Sequence, residues 1–139
     1  MTMPVTYVEI NSPDLERSAA FFNDVFDWQL RTFADPEYLV ADSGDAGGVD
    51  TGLLKSRDGT PRTVPVIRVP SLDAIRSVVE NHGGTVVVDP FVITGVGRGC
   101  YIVDPAGVLI GLHEYDRTRD STPERVLMVY LRWCCPPTR

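Results

Sequence analysis

The sequence has little of what marks membrane, secreted or nucleic-acid-binding proteins. No apolar run approaches the ~20 residues of a membrane-spanning helix. The first residues, MTMPVTYVEI, have neither the basic start nor the apolar stretch of a secretory signal. Basic residues are few: 13 stand against 19 acidic ones, giving a formal net charge of -6 without a basic stripe. We therefore expect a cytoplasmic protein that binds neither nucleic acid nor membrane.

Cysteine is also scarce, with only Cys100, Cys134 and Cys135. An odd number with two adjacent residues is not a disulfide framework. The chain has no C-x-x-C pair, which argues against a structural zinc site. Reduced thiols in the cytoplasm are the simplest interpretation.

What the sequence does have is one order of predicted elements that occurs twice. The 139 residues suffice for one domain with a hydrophobic core. In the first module, about residues 5–55, a strand (6–11) precedes a helix (13–26) that has Ser12 as its N-cap and Pro13 in its first turn. Three strands follow, at 28–33, 37–41 and 49–55, with a turn at Asp35-Pro36 between the first two.

The second module, about residues 63–115, repeats this order. A strand (64–69) precedes a helix that Pro70-Ser71 opens and Gly83-Gly84 closes. Strands are then predicted at 85–88, 100–103 and 108–114. Residues 91–94 lead into a glycine-rich turn at 95–99, and Asp104-Pro105-Ala106-Gly107 forms the last turn.

Spacing supports an internal repeat. Asn11 and Arg68 end the first strands of the two modules, and Gly52 and Gly111 lie in the last strands. Both pairs are separated by nearly the same number of residues, although a ferredoxin-like βαβ pair would imitate part of this pattern. We predict one α+β domain over residues 1–116.

The segment 117–139 departs from the repeat. Ser121, Thr122-Pro123 and Glu124 are typical of a helix start, and strongly apolar residues follow. The segment is either a C-terminal helix that covers a dimer face or an extension without fixed structure.

Three phrases resemble a known family. SPDLERSAAFFNDVFDW, VPSLDAIRSVVENHGGTVV and GVGRGCYIVDPAGVLIGLHE, in this order and at this spacing, resemble the vicinal-oxygen-chelate superfamily, which includes glyoxalases, bleomycin-resistance proteins and dioxygenases. The resemblance covers about residues 5–116. It implies two βαβββ modules whose strands form an open, barrel-like mixed sheet around a cavity, with the helices on the outer face. It also implies a homodimer, but no single reaction.

The resemblance also implies where a metal would bind. Metal-using relatives place His, Gln or Glu at four strand positions, which correspond here to Tyr7, Gly52, Val64 and Gly111. Glycine and valine side chains have no donor atom, and tyrosine is a protonated phenol at neutral pH. We therefore expect no bound metal and no cofactor.

Strand alternation predicts which side chains face the cavity instead. Val8 and Ile10 should face the helix in the first strand, so their neighbours should face inward. The same reasoning applies to the other strands. The candidate ligand-binding residues are Tyr7, Glu9, Asn11, Asp50, Arg68, Tyr101 and His113.

Several functions remain open at this point. The leading hypothesis is a metal-free protein that binds a small molecule. One alternative is a metal-independent lyase, epimerase or cyclase in which Glu9 and His113 exchange a proton. A structural alternative is a buried ion pair between Glu9 and Arg68 that closes the barrel without a ligand. A metal-dependent lyase or dioxygenase is less favoured, and whether the protein is an enzyme stays open.

Overall fold

The chain forms two helices and one eight-stranded sheet. The computed structural model describes residues 2–33, 35–44, 47–93 and 97–115; the predicted extension 117–139 lies outside them. The elements in chain order are β1 (Val5–Ser12), α1 (Leu15–Phe26), β2 (Arg31–Phe33), β3 (Asp35–Ala41), β4 (Asp50–Lys55), β5 (Arg62–Arg68), α2 (Leu72–Asn81), β6 (Thr85–Ile93), β7 (Gly97–Val103) and β8 (Leu109–Tyr115). None of the helices in these ranges is long and apolar enough to span a bilayer.

The strand order β2-β3-β4-β1-β5-β8-β7-β6 confirms two βαβββ modules in one mixed sheet. In each module the first strand runs parallel to the last, β1 to β4 and β5 to β8. The two first strands meet antiparallel at the centre, with Val8 opposite Pro65. A twofold rotation about this pair exchanges the modules, so that Glu9 and Val66 are equivalent.

The register also makes the two strand glycines equivalent, as the sequence predicts. Gly52 of β4 pairs with Glu9, and Gly111 of β8 pairs with Val66. The same pseudo-symmetry relates Asn11 near the end of β1 to Arg68 at the end of β5.

The predicted cap of α2 is confirmed, whereas that of α1 is wrong. Ser71 Oγ accepts a hydrogen bond from the backbone N–H of Ala74 at 3.2 Å. In α1 the N-cap is Asp14, whose Oδ1 accepts from Arg17 N at 3.2 Å. Ser12 instead ends β1, and its hydroxyl donates to Asp14 O at 2.9 Å. An aspartate two residues further along suits the cap position equally well.

Two proline positions were also predicted wrongly. Asp35 and Pro36 begin β3 rather than forming a turn, and β6 continues through Pro90 to Ile93, past Val88, where the strand was predicted to end. The pairing of β6 with β7 shifts register between Val88 and Phe91. Because β6 is an edge strand, a residue without a backbone N–H is tolerated there with a bulge.

The outer face of the second module holds a packed hydrophobic core. Its buried members are Val69, Leu72, Cys100 and Leu112, with Ile67, Ile75, Ile102 and Ile110 packed against them. The strand residues among them face α2, as alternation predicts. The start of α2 is also tied to the sheet, because Leu72 N donates to Glu114 Oε2 at 2.6 Å.

The first module packs its helix less tightly. No residue of α1 is buried, and Phe21, Val25 and Phe26 are each more than half exposed. The rings of Phe21 and Phe26 contact that of Phe22, and the rings of Phe22 and Trp28 stack at 5.2 Å between centroids. The outer face of α1 is therefore an exposed aromatic surface.

We expect Leu72 to anchor α2. Leu72 is 1% exposed, so Leu72→Ala should lower the free energy of unfolding by about 2–5 kcal/mol through lost burial and an unfilled cavity. The matched control is Val78→Ala in the same helix, where the side chain is 48% exposed and the loss should stay below about 1 kcal/mol. Urea denaturation of both variants measures the difference, and equal losses would contradict the packing described for α2.

Candidate ligand site

The concave face of the sheet is lined by buried polar and aromatic side chains. Glu9 and His113 are 0% exposed, Tyr7 is 2% exposed, and Tyr101 is also buried. They come from β1, β7 and β8, and the pairing of neighbouring strands shows where they lie relative to each other. Tyr7 pairs with Val66 across β1 and β5. Val66 pairs with Gly111 and Gly111 with Tyr101, which makes one row across four strands.

Glu9 has Tyr101 as a hydrogen-bond partner. The hydroxyl of Tyr101 donates to Glu9 Oε1 at 2.5 Å, and both side chains are buried. A polar group that is buried without a hydrogen bond costs free energy. This bond therefore compensates in part for removing the carboxylate from water.

The expected buried partner, Arg68, is not buried. It is the last residue of β5 and is exposed, and its backbone N–H donates to Pro4 O at 2.9 Å. A long side chain at a strand end reaches solvent readily. The prediction of a buried ion pair between Glu9 and Arg68 is therefore wrong about Arg68, and the structure brings Tyr101 to Glu9.

His113 lies on the other side of the Tyr7–Tyr101 row from Glu9. Glu9 pairs with Val64, which precedes Val66 in β5, whereas His113 pairs with Arg68, which follows it. Burial, and then the positive charge of Arg68, lower the pKa of His113 to about 4. His113 is therefore neutral at pH 7. The residue that donates a hydrogen bond to Glu9 is Tyr101, whereas the register separates His113 from Glu9.

A cavity of about 310 Å³ adjoins the Glu9–Tyr101 pair. Val64, Val87, Val88 and Leu109 form its apolar walls. The half-buried Asn11 also lines it. Strands β1, β5, β6, β7 and β8 contribute to this lining, so the cavity belongs mainly to the second module.

The linker between the modules forms the remaining wall, through Ser56, Arg57, Asp58 and Arg62. Asp58 organises it: Oδ1 accepts from Thr60 N at 3.0 Å and from Ser56 Oγ at 3.1 Å. Arg62 donates to both carboxylate oxygens, at 2.9 and 2.5 Å. The hydrogen bonds from Arg62 contribute most to lowering the pKa of Asp58. The linker is therefore a turn that hydrogen bonds to Asp58 stabilise, and it forms part of the cavity wall.

The remaining candidate, Asp50, has another role. Its Oδ1 accepts hydrogen bonds from Ser43 N at 2.9 Å and Ser43 Oγ at 3.0 Å. These bonds fix the loop before β4, and Asp50 is not among the residues lining the 310 Å³ cavity.

The positions that the family uses for a metal do not fit one here. A Cβ atom on Gly52 would lie 2.7 Å from Tyr38 Oη and closer still to Tyr7 Oη, and these two hydroxyls are hydrogen-bonded to each other. A Cβ atom on Gly111 would lie 3.0 Å from Val66 Cγ2. The glycines thus make room for protein side chains rather than for ligands of a metal. Among the described residues, no group of three His, Cys, Asp or Glu side chains could hold a metal ion.

Tyr38 and the linker turn are the parts of the site that the sequence analysis missed. A signal for Tyr38 exists, because alternation in β3 puts it on the same face as Val40, and both are buried. For Asp58 and Arg62 the i,i+4 spacing gives no signal outside a helix.

The fold and site together define a two-module βαβββ domain with a cavity on its concave face. A sequence model of the Glyoxalase/Bleomycin resistance protein/Dioxygenase superfamily matches residues 5–112, and the chain belongs to this superfamily.

Two curated proteins and two solved structures indicate the range of relatives. The anthracycline biosynthesis protein DnrV of Streptomyces peucetius is 27% identical over 118 residues, and DauV of Streptomyces sp. strain C5 is 26% identical. Each match covers 73% of this chain but only 43% of the relative, so the chain spans less than half the length of these proteins.

Methylmalonyl-CoA epimerase from Mycobacterium tuberculosis superposes with a TM-score of 0.61 at 19% identity, over 81% of this chain and 88% of that one. A superfamily member from Vibrio splendidus 12B01 has a TM-score of 0.59 at 17% identity, over 80% and 97%. Identities this low show the fold alone.

We expect His113 to make the stability depend on pH. Its pKa is lowered from 6.5 to about 4 on folding, so the unfolded chain takes up the proton first. The stability from neutral His113 is fully present above pH 6.5 and is lost as the pH falls through 4, by up to about 3 kcal/mol. Urea denaturation between pH 7.5 and 4 measures the free energy of unfolding. As the pH falls, this free energy should decrease less steeply in His113→Gln than in the parent protein. Equal slopes would contradict the assignment.

Proposed function

We propose that this domain binds a small organic molecule in the 310 Å³ cavity without a metal ion. The observation that carries the proposal is the Glu9–Tyr101 pair: a fully buried carboxyl group that accepts a hydrogen bond from a buried hydroxyl, at a cavity whose other walls are apolar side chains and the polar linker. Ligand sites commonly combine apolar walls with a few fixed polar groups.

The lining indicates the chemistry of the ligand. Val64, Val88 and Leu109 suit an apolar body. A carboxylate accepts hydrogen bonds only, so Glu9 favours a hydroxyl or amine at the inner end of the ligand. The names of the relatives are in keeping with an organic ligand, since one pair is assigned to anthracycline biosynthesis and one structure is an epimerase of a CoA ester.

The residues at the four positions that the family uses for a metal support binding without a metal ion. Tyr7 and Tyr38 occupy the space that a side chain on Gly52 would need, and valine at position 64 has no donor atom. A metal-dependent lyase or dioxygenase is therefore not favoured.

A second candidate is acid/base catalysis on the same ligand, as in a metal-independent lyase, epimerase or cyclase. Glu9 would accept a proton from the ligand and Tyr101 would hold the carboxylate in place. The 2.5 Å bond between them favours this pairing over the one between Glu9 and His113.

The test uses 2-naphthol, a two-ring phenol whose hydroxyl can donate to Glu9. Glu9→Gln should weaken its binding at least about tenfold, which corresponds to about 1.4 kcal/mol, and Tyr101→Phe should weaken it less. Glu80→Gln, in the exposed part of α2, is the control and should bind as the parent does. Calorimetry with EDTA-treated protein gives the affinities.

Two results would overturn the proposal. One is the same affinity in the parent and in Glu9→Gln. The other, found by elemental analysis, is one equivalent of tightly held divalent metal whose removal abolishes binding.

The assembly we expect is a symmetric homodimer. Phe21, Val25 and Phe26 expose an apolar face of α1, and such faces tend to be covered. Light scattering at micromolar concentration should give twice the chain mass, and Phe26→Glu should shift it towards one chain mass. A monomeric parent protein would refute the prediction. The cytoplasmic location and the absence of nucleic-acid partners stay predictions from composition.

A further inference from the structure

The two halves of the concave face are filled differently although the backbone is pseudo-symmetric. Val40 pairs with Gly52 in the first module as Tyr101 pairs with Gly111 in the second. Two residues earlier in the same strands stand Tyr38 and Gly99. The first module therefore has a tyrosine where the second has no side chain.

The same contrast holds in the central strands. Two residues before Glu9 stands Tyr7, and two residues before its equivalent Val66 stands Val64. The first half thus holds a pair of tyrosines where the second holds a valine and a glycine. Of these two smaller residues, Val64 lines the 310 Å³ cavity, whereas Gly99 pairs with His113 on the other side of the Tyr7–Tyr101 row.

The tyrosine pair closes the first half next to Glu9. Tyr7 and Tyr38 are 2% and 0% exposed, and their hydroxyls are hydrogen-bonded to each other directly above Gly52. Gly52 is the β4 partner of Glu9. The carboxylate therefore stands between the filled half and the cavity.

We infer that Tyr7 and Tyr38 act as a plug that makes the site one-sided, and that Tyr38 determines how long a ligand can be. This inference rests on the proposed function. A ligand enters along the second module and ends at Glu9, because the two rings occupy the space beyond it. Tyr38 is fully buried, and its hydroxyl lies 2.7 Å from where a Cβ atom on Gly52 would stand, in the space next to Glu9.

The test compares two phenols of different length, 2-naphthol and 6-phenyl-2-naphthol. Tyr38→Ala removes the ring beside Glu9 and should raise the affinity for the longer phenol, relative to the shorter one, at least about tenfold. Tyr38→Phe keeps the ring and loses only the hydroxyl, so it should leave the ratio unchanged. The matched control is Leu53→Ala: Leu53 is equally buried and belongs to the neighbouring strand, but it faces the other side of the sheet.

The outcomes separate this inference from the proposed function. If the parent protein binds 2-naphthol and Tyr38→Ala does not change the ratio, the plug is refuted while the ligand site stands. If Leu53→Ala changes the ratio as much, general loosening explains the result and the inference is wrong. If neither phenol binds the parent or Tyr38→Ala, both proposals fail. Tyr38→Leu, which keeps an apolar side chain, gives the same comparison if thermal melting shows that Tyr38→Ala does not fold.

Discussion

The antiparallel pairing of β1 with β5 is the constraint on which the rest of the structure depends. It joins the two modules, and its register decides which side chains meet inside. A shift of one residue would turn Glu9 and Tyr7 to the helix side and bring Val8 and Ile10 to the cavity. The position of Val8 opposite Pro65 therefore fixes the concave face and its chemistry together.

Within this frame the backbone is duplicated but the side chains are not. Gly52 and Gly111 are equivalent, and each is closely approached by a side chain: Tyr7 and Tyr38 in one half, Val66 in the other. Glycine is needed at both places because a Cβ atom would collide with or crowd its neighbours. The halves differ in how large those neighbours are, and the 310 Å³ cavity lies mainly in the second module.

Local patterns in the sequence predicted the repeated order of elements, and the resemblance to the superfamily implied how the two modules form one sheet. Alternation placed Val8 and Ile67 on the helix side, and Ser71 with Gly83 marked the ends of α2. Errors arose where the outcome depends on tertiary context. An edge strand accepts Pro90, and a strand end exposes Arg68, and neither fact is visible in the order of residues.

The candidate site was only partly predictable for a similar reason. Alternation gives the face on which a side chain lies, so Glu9, Tyr101 and His113 were correctly predicted to be on the same one. It does not give distance along the sheet, and the register places Glu9 and His113 on opposite sides of the Tyr7–Tyr101 row. The contact of Tyr101 with Glu9 joins residues from the two modules, and a local sequence pattern does not predict such a pair.

The pseudo-symmetry also helps to separate structural from functional reasons for Glu9. A buried carboxylate costs stability, and an apolar residue of similar size often replaces it without loss. The equivalent position in the second module is Val66, which is fully buried in the same fold. The fold therefore accepts an apolar residue at the equivalent place in the second module. Glu9 lies in the central strand beside the cavity and accepts a hydrogen bond from Tyr101, which is consistent with the proposed ligand site.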